Sequence, residues 1–398
     1  MKNLFKTLFV IPYIIPVHFK IQETISIMKL KEQVKFIKPN DKKNFHTTLK
    51  TRVDAYFKEN NLSKHANSTM IIKSMILILT YVLPFVALLA FQPPFYVALL
   101  LWTTMGVGVA GIGMGVMHDA NHGAYSNNRM VNSIMGHTLN LVGGAVLNWK
   151  LQHNVLHHTY TNITHLDEDI ADKLVLKFSP HTQAKPYHQF QFIYAFFFYG
   201  ILTLYWVLAK DFVQYFQFIK QGVNKNTAKE NALFLINLII NKALYFFVIL
   251  GVPALFFNIP MSELIIGFLL MHFVAGIVLT VVFQLAHSIE GTTHPLPNAE
   301  GIIENDWAIH QIETTANFSP DNALLSWYVG GLNYQIEHHL FPTICHVHYP
   351  KIAPIVEATA KEFGIDYKVH HRFSDALSAH VTFLQRVGHL PSLNEALG

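Results

Sequence analysis

The stretch SMILILTYVLPFVALLAFQPPFYVALLLWTTMGVGVAGIGMGVM, residues 74–117, decides the fold because it contains no Asp, Glu, Lys or Arg. A transmembrane helix needs about 20 consecutive apolar residues, so this stretch is long enough for two crossings. Pro93 and Pro94 interrupt it, and two consecutive prolines cannot continue a helix. The stretch therefore predicts a helical hairpin with membrane spans at about residues 71–91 and 95–117.

A second hairpin is predicted further along the chain. Residues 243–289 carry one charged side chain, Glu263, and the sequence Asn258-Ile259-Pro260 breaks the apolar run. Asparagine and proline so close together favour a turn, so two further spans are expected at about residues 232–257 and 261–286.

The composition of the whole chain agrees with a membrane protein. Of the 398 residues, 51% are hydrophobic and 14% charged, whereas about a quarter of the residues in soluble domains are charged. The predicted fold class is an all-α integral membrane protein with two transmembrane helical hairpins (four spans) and a cytosolic helical domain. A formal charge of +4 is too small for a dedicated nucleic-acid-binding protein. The single cysteine, Cys345, excludes an intramolecular disulfide and an iron–sulfur cluster.

A third apolar stretch, residues 190–209, could span the membrane by length and hydropathy alone. With two hairpins only, every charged segment lies on one side, which is the cytosolic side because Lys and Arg are retained there. A fifth span would place the following segment on the opposite side. We therefore expect residues 190–209 to form an interfacial or buried helix, and both termini to be cytosolic.

The N-terminus contains an apolar run from Leu8 to Phe19 that resembles a signal peptide. Pro12 and Pro16 interrupt the run and no small-residue cleavage site follows, which disfavours this interpretation. Translation from Met28 is an alternative that the sequence leaves open.

Three clusters stand out among the 24 histidines: HDANH (118–122), HNVLHH (153–158) and QIEHH (335–339). Side chains at positions i and i+4 of a helix share one face, so each of the first two clusters can direct two imidazoles to a common point. The first cluster begins where the second predicted span ends, and the others lie in predicted cytosolic segments. All three can therefore meet on one side of the bilayer, together with His287 at the end of the last span.

Imidazole-rich sites without thiolates suit iron, zinc, copper or nickel, and eight histidines are too many for one ion. The sequence therefore predicts two metal ions. Carboxylates near the histidines could orient the imidazole rings, although a solvated acidic loop is an alternative for residues 167–169. These carboxylates are Asp119, Asp167, Glu168, Asp169 and Glu337.

The three clusters, in this order around two hairpins, resemble the histidine boxes of the membrane fatty acid desaturases. The resemblance covers roughly residues 70–365. Gln335, at a position where many relatives have histidine, resembles the front-end subgroup, which inserts double bonds between an existing one and the carboxyl end. The resemblance implies di-iron ligands at His118, His122, His153, His157, His158, His338 and His339.

Two further positions follow from the resemblance. His287, in the sequence QLAHS, is similar to an additional ligand of the animal stearoyl-CoA enzymes. Gln335 departs from the all-histidine pattern. It could bind a metal through its carbonyl, bind through a water, or only hydrogen-bond an imidazole.

The implied activity is the O2-dependent introduction of a cis double bond into an acyl chain, carried as acyl-CoA or acyl-lipid. The chain lacks the His-Pro-Gly-Gly heme motif of a fused cytochrome b5, so the electrons are expected from a separate ferredoxin or cytochrome b5 with its reductase. The expected organisation is an N-terminal cytosolic segment (1–68), a desaturase domain (69–365) and a C-terminal cytosolic tail (366–398).

Substrate contacts are less well defined by the sequence. Trp149 lies one helical turn before His153 and could line an apolar acyl tunnel, or equally be an interfacial anchor. Lys150, Arg129 and Lys177 could meet phosphates, although basic residues beside an anionic leaflet are expected anyway.

Two other functions remain to be weighed against desaturation. A hydroxylase or related oxygenase of the same superfamily would use the same ligands. A histidine-rich metal transporter would bind ions within its spans, but His272 alone among the histidines falls well inside one. His310 is predicted not to be a ligand. The double-bond position, chain length and acyl carrier cannot be read from the sequence.

Overall fold

The computed structural model describes residues 34–37, 42, 44–171 and 175–390. The N-terminal run from Leu8 to Phe19 and the alternative start at Met28 lie outside the described residues. Within those ranges the regular secondary structure is helical apart from four two-residue strands. The helices are α1 (Phe45–Glu59), α2 (Ser68–Phe91), α3 (Phe95–Asn121), α4 (Arg129–Gly136), α5 (Thr138–Leu141), α6 (146–160), α7 (Pro186–Lys220), α8 (Ala228–Phe257), α9 (Met261–His287), α10 (Trp307–Glu313), α11 (Ala323–Tyr328), α12 (Gln335–Leu340), α13 (Tyr349–Glu362) and α14 (Phe373–His389).

The four helices of the predicted hairpins are present as α2, α3, α8 and α9. Each pair is joined at the predicted break, where Gln92 and Asn258 adopt the left-handed conformation with φ of 41° and 54°. The side chain of Gln92 donates a hydrogen bond to the carbonyl of Phe257 over 3.0 Å. The two turns therefore lie side by side at one end of the helices.

Among the described residues, five helices rather than four are long and apolar enough to cross a membrane. The chain is therefore an integral membrane protein with a mostly helical fold. The fifth helix is α7, which extends beyond the predicted range of 190–209. It continues to Lys220 past the charged residue Asp211, which is paired with Lys242, whose Nζ lies 2.7 Å from Oδ2 of Asp211. Apolar length alone could not reveal this pairing.

The middle of α7 packs closely against α9. A Cβ atom added to Gly276 would lie 2.5 Å from the carbonyl oxygen of Gly200, so these two backbones approach as closely as small residues allow. Three residues on, the hydroxyl of Thr203 donates to the carbonyl of His272 over 2.6 Å. The ring of His272 is also bonded to the hydroxyl of Tyr245, with 2.8 Å between Oη and Nε2. His272 is thus a packed polar residue, as predicted.

The histidine-bearing domain has its own apolar core. Residues Phe45, Leu49, Val53 and Phe57 recur every four positions on one face of α1, and all four are buried. This face packs against apolar side chains of α10, α12 and α13. Two parallel strand pairs complete the domain: β1 (Lys35–Phe36) with β2 (Ile302–Ile303), and β3 (Asn317–Phe318) with β4 (Val369–His370).

The last helix, α14, packs across the start of α7. Its buried His380 donates from Nδ1 to the carbonyl of Ser288 over 2.6 Å and accepts at Nε2 from the hydroxyl of Tyr199 over 2.9 Å. Gln191 of α7 donates to the carbonyl of Leu384 over 2.9 Å. These bonds tie the C-terminal helix to the end of α9.

Candidate metal centre

The three histidine clusters meet beside the end of α9. Two groups of imidazoles form there, and within each group the possible ligand atoms lie within 4.8 Å of one another. The ring of His158 lies between the groups, with its centroid 4.6 Å from His338 and 4.4 Å from His339. The first group contains His118, His122, His153 and His338, and the second contains His157, His287 and His339. The structure thus brings together all eight histidines that the sequence predicts as ligands.

Two π-helical segments place the first two clusters. Ile112–Val116 is π-helical immediately before His118, and Leu151–His157 contains two histidines of the second cluster. Such segments are rare and frequent at functional sites. His153 and His157, which the sequence predicts to share a common point, have ring nitrogens that also form a group with Asp169, with the possible ligand atoms within 4.8 Å of one another. Their rings stack with centroids 5.2 Å apart, and each also joins a different one of the two imidazole groups.

Ring nitrogens of the first group and of the neighbouring His158 lie at the distances expected between ligands of one metal ion. The Nε2 atom of His153 lies 3.1 Å from Nε2 of His118 and 3.3 Å from Nε2 of His158. Two nitrogens bound about 2.1 Å from one ion lie roughly 3 to 3.4 Å apart. His122 and His338 each have a buried Nε2 without a hydrogen-bond partner. Unpartnered buried polar atoms are uncommon, so this donor set fits a cation.

The second group is completed by Gln335. Its amide nitrogen lies 2.9 Å from Nε2 of His287 and 3.4 Å from Nε2 of His339, while its amide oxygen has no partner. Nitrogen and oxygen of an amide are assigned from the surrounding bonds, and a half-turn exchanges them. After that half-turn, the carbonyl oxygen of Gln335 points at the same place as the two imidazoles. The Nε2 of His157 also lacks a hydrogen-bond partner.

Two carboxylates orient the second cluster, as the sequence predicts. The Nδ1 of His153 donates to Oδ2 of Asp169 over 2.8 Å, and the Nδ1 of His157 donates to Oδ2 of Asp167 over 2.9 Å. These bonds place the ring proton on Nδ1 and leave Nε2 free for a metal. Gln152 also donates to Asp169. The third acidic residue of this loop, Glu168, accepts instead from Gln217 over 2.7 Å.

The pKa values of most imidazoles in the two groups suit metal binding. Burial lowers the pKa of His153 to about 3, against the opposing effect of Asp169. Burial and the neighbouring imidazoles hold the pKa values of His158, His338 and His339 well below the ordinary range. These imidazoles are neutral at pH 7, which is the form that binds metals. Burial also acts to lower the pKa of His157, but Asp167 raises it above its usual value.

The third cluster has two partners that the sequence did not indicate. The Nδ1 of His339 donates to Oε1 of Gln311 over 2.7 Å, and the Nδ1 of His338 lies 3.2 Å from the hydroxyl of Tyr349. Both partners are uncharged and lie outside the cluster, 28 residues from His339 for Gln311 and 11 residues from His338 for Tyr349. No spacing or charge pattern could have identified them.

The other predicted carboxylates are placed differently. Oδ1 of Asp119 lies 3.8 Å from Nδ1 of His118, so that pair is longer than the other two. Glu337 faces away from the histidines and accepts from Tyr367 over 2.7 Å and from Asn317 over 2.8 Å. Burial raises the pKa of Glu337 to about 7 although both bonds act to lower it. Glu337 therefore fixes the third cluster to the strands rather than to a ring nitrogen.

The aromatic and basic residues that the sequence suggested as substrate contacts differ in their positions. The indole of Trp149 covers the first group, with its centroid 4.6 Å from His153 and 5.5 Å from His118. The ammonium of Lys177 is buried and donates to the carbonyl of Val387 over 2.8 Å, so it does not face solvent phosphates. His310 packs against Phe36 in a tilted arrangement, with ring centroids 5.0 Å apart, and joins neither group.

Comparison with known proteins identifies this arrangement. The sequence pattern of the family described as fatty acid desaturase matches residues 91–371, which include all three clusters and His287. The chain belongs to the fatty acid desaturase family. It is an oxidoreductase that desaturates a fatty acyl chain, and its family in general uses a di-iron centre.

Several relatives of this desaturase match over most of their length. It is 38% identical to the sn-1 linoleoyl-lipid 6-desaturase of Arthrospira platensis, over 86% of this chain and 92% of that protein. It is 36% identical to the enzyme of the same name from Synechocystis sp., over 90% and 98%. It is 35% identical to the acyl-lipid (8-3)-desaturase of Physcomitrium patens, over 87% and 72%. The prediction of a front-end fatty acyl desaturase is confirmed.

Proposed function

We propose that this desaturase uses two iron ions and O2 to introduce a cis double bond into the acyl chain of a membrane lipid. The observation that carries the proposal is the pair of histidine groups, in which the buried Nε2 atoms of His122, His157 and His338 lack hydrogen-bond partners. A methylene group has no acidic proton, so side-chain acid–base chemistry cannot remove its hydrogens. The bound irons would supply the oxidising chemistry, and the residues around them orient the ligands and exclude water.

The proposed ligands divide between the two irons. The first group would hold one iron and the second group the other, with His158 placed between them. Gln335 is proposed as a ligand of the second iron through its carbonyl oxygen, because its amide end lies beside His287 and His339. Asp167 and Asp169 hold their imidazoles in the tautomer that binds.

Access to the centre is proposed at His122. It is partly exposed, whereas the other seven histidines are buried. Gly123 follows it with φ of 77° and open space around its Cα. The next helix, α4, exposes the apolar side chains of Met130 and Ile134, which are 70% and 63% exposed. Exposed apolar side chains beside an accessible site are typical of a protein that takes its substrate from the bilayer.

The relatives support a lipid-linked substrate. The names of all three describe enzymes of acyl lipids, and two of them name position 6. We propose an acyl-lipid substrate and a double bond near the carboxyl end, at position 6. The electrons are proposed to come from a separate ferredoxin or cytochrome b5.

For the topology we propose four spans, α2, α3, α8 and α9, with the active site and both termini in the cytosol. The contacts of α7 support a non-spanning position for this helix. Near its start Gln191 contacts Leu384, and near its end Gln217 contacts Glu168. Both ends therefore contact segments that we propose to be cytosolic, the C-terminal tail at Leu384 and the acidic loop at Glu168. We retain the division of the chain at residues 68/69 and 365/366.

Expression with a compatible electron donor, supplied with defined fatty acids, tests the activity. The lipids are analysed by gas chromatography–mass spectrometry after double-bond derivatisation. The expected result is a new double bond at position 6 that is absent in His157→Ala. The matched control is His137→Ala, because His137 is exposed and belongs to neither group.

Other results have defined meanings. A hydroxylated product would assign the chain to the oxygenase branch of the superfamily. Purified protein with no bound iron would contradict the di-iron proposal. Uptake of metal ions into vesicles without lipid oxidation would favour the transporter alternative.

A further inference from the structure

The histidine–carboxylate pairs of the centre are not equivalent. The distance from Nδ1 to the carboxylate is 2.8 Å for His153 and Asp169, and 2.9 Å for His157 and Asp167. For His118 and Asp119 it is 3.8 Å, beyond hydrogen-bond range. Of these three histidines, His118 is therefore the one without a carboxylate within hydrogen-bond distance of its Nδ1.

The carboxylate of Asp119 is held by another residue. Oδ2 of Asp119 accepts from Nδ1 of His346 over 2.8 Å and from the backbone N–H of the same residue over 3.1 Å. These two bonds fix the carboxylate on the side away from His118. His346 and Asp119 are both almost completely buried, at 4% and 2% exposure, so solvent does not compete for these bonds.

A buried lysine fixes His346 in turn. The Nζ of Lys73 lies 2.7 Å from Nε2 of His346, and an ammonium group can only donate. The Nε2 of His346 is therefore the acceptor and its Nδ1 carries the proton given to Asp119. Lys73 is 1% exposed and belongs to α2, where a charged side chain within a span indicates a function.

The same cluster does not suit a third metal ion. Asp119, Cys345 and His346 are close enough to share an ion, and all three are buried. Both ring nitrogens of His346 are already engaged, one by Lys73 and one by Asp119. A cation at this place would also meet the ammonium of Lys73.

We propose that His346, held by Lys73, is a positioning residue that keeps the carboxylate of Asp119 away from His118. This inference rests on the proposed metal centre. A carboxylate bonded to a ligating imidazole makes the imidazole a stronger ligand, and its loss typically costs 10- to 100-fold in metal affinity. His118 is therefore a weakened ligand. It belongs to the group that contains the partly exposed His122, so the accessible metal site is the one with the looser imidazole.

The test measures metal affinity of the full-length protein in detergent, stripped of metal and titrated with Co²⁺. The variant His346→Leu removes the side-chain bond to Asp119, so that only the backbone N–H bond remains and the carboxylate can turn toward His118, and it is expected to bind Co²⁺ at the first site roughly tenfold more tightly. A merely structural residue would give weaker binding when removed. His118→Ala identifies which binding step belongs to the first site. Wild-type protein that binds fewer than two Co²⁺ ions would contradict the proposed metal centre itself, on which this inference rests.

Three variants isolate the role of Asp119. His346→Gln keeps both bonds, because an amide oxygen can accept from Lys73 while the amide nitrogen donates to Asp119, and is expected to match wild type. The double variant His346→Leu with Asp119→Asn is expected to lose the gain in affinity. His348→Leu is the matched control, since His348 lies in the same turn and is buried but bonds to the carbonyl of His65.

Several outcomes would overturn the inference. One is unchanged or weaker Co²⁺ binding in His346→Leu. Another is a gain that persists in the double variant, and a third is an additional tightly bound Co²⁺ that His346→Leu removes. If His346→Leu fails to fold, Lys73→Met provides the same test, because it removes the donor that fixes the ring of His346.

Discussion

Asp169 accepts a hydrogen bond from Nδ1 of His153 over 2.8 Å, and the same carboxylate accepts a second bond from Gln152. Burial acts to raise the pKa of Asp169, but the bond to His153 and nearby positive charge lower it below the usual range. The carboxylate therefore stays ionised and fixes the orientation of His153. Through this contact, a loop that lies outside the three clusters controls the first group.

We expect Asp169→Asn to weaken metal binding by about 10- to 100-fold, because the imidazole of His153 loses its charged partner. Equilibrium titration of metal-free protein with Fe²⁺ or Co²⁺ measures the change. Glu168→Gln is the control, because Glu168 belongs to the same loop but contacts Gln217. Equal effects of both substitutions would show that the loop contributes only general charge.

Gln311 is the corresponding partner of His339 in the second group. Its Oε1 accepts from Nδ1 of His339 over 2.7 Å and from the hydroxyl of Thr161 over 2.8 Å. Gln311→Leu removes the acceptor of the buried Nδ1 of His339, which costs about 1–3 kcal/mol for an unsatisfied group, whereas the hydroxyl of Thr161 can still donate to the carbonyl of His157 over 2.7 Å. We expect loss of metal from the second site at concentrations that saturate wild type, measured by metal analysis of the purified protein.

The neighbouring His310 provides the control for this substitution. It is equally buried but packs against Phe36, so His310→Leu is expected to retain two metal ions. Retained metal in Gln311→Leu together with lost metal in His310→Leu would reverse the assignment of these two residues.

Apolar length and breaks were sufficient to predict the four hairpin helices, because each span is a continuous run closed by a turn at Gln92 or Asn258. The length of α7 could not be predicted in this way. Its extension includes the charged Asp211, which is buried and paired with Lys242, a residue far from it in sequence. A charge in a sequence normally marks the end of a membrane helix, and only the fold shows that its partner is within reach.

The ligand histidines could be predicted because their types and spacing are distinctive, whereas their division between two groups could not. His153 and His157 both lie in the π-helical segment Leu151–His157 and each joins a different imidazole group besides the group that they share with Asp169, and no residue pattern in HNVLHH indicates this division. Gln311 was missed for a related reason. It is an uncharged residue of α10 that meets His339 only through tertiary packing.

Trp149 is predicted to form a wall of the acyl tunnel, since its indole packs on the rings of His153 and His118. We expect Trp149→Ala to lower turnover at least tenfold or to yield a mixture of double-bond positions, because the chain is no longer held in one register. Trp149→Phe keeps an aromatic wall and is expected to give a single product. Mass spectrometry of derivatised products measures both. Wild-type product at the wild-type rate from Trp149→Ala would leave the residue as an interfacial anchor.

The contact between α7 and α9 predicts a site that cannot accept even a methyl group. A Cβ at Gly276 would lie 2.5 Å from the backbone oxygen of Gly200, and backbone cannot move aside. We expect Gly276→Ala to destabilise the fold by about 1–3 kcal/mol, the usual cost of overpacking. Gly113→Ala makes the same change next to the flexible side chain of Leu279, at 3.2 Å, and is expected to cost less. Thermal unfolding in detergent compares the two, and equal losses would contradict the argument.

The C-terminal helix predicts a specific dependence of stability on pH. Burial lowers the pKa of His380 to about 4, from 6.5 in the unfolded chain. Below pH 6.5 the unfolded chain therefore binds a proton that the folded protein does not. The free energy of unfolding consequently decreases as the pH is lowered below 6.5, by up to about 1.4 kcal/mol per pH unit, until the folded form also titrates near pH 4.

His380→Gln removes this titration and can keep both hydrogen bonds, since an amide can donate to Ser288 and accept from Tyr199. We therefore expect the variant to gain stability relative to wild type as the pH is lowered from 7 to 5, as measured by thermal unfolding at each pH. All other histidines are common to both proteins, so their contributions cancel in the comparison. His389→Gln, at an exposed position of the same helix, is expected to leave the pH dependence unchanged. A difference between His380→Gln and wild type that stays constant with pH would mean that His380 has the same pKa in the folded and the unfolded chain, which would contradict the argument.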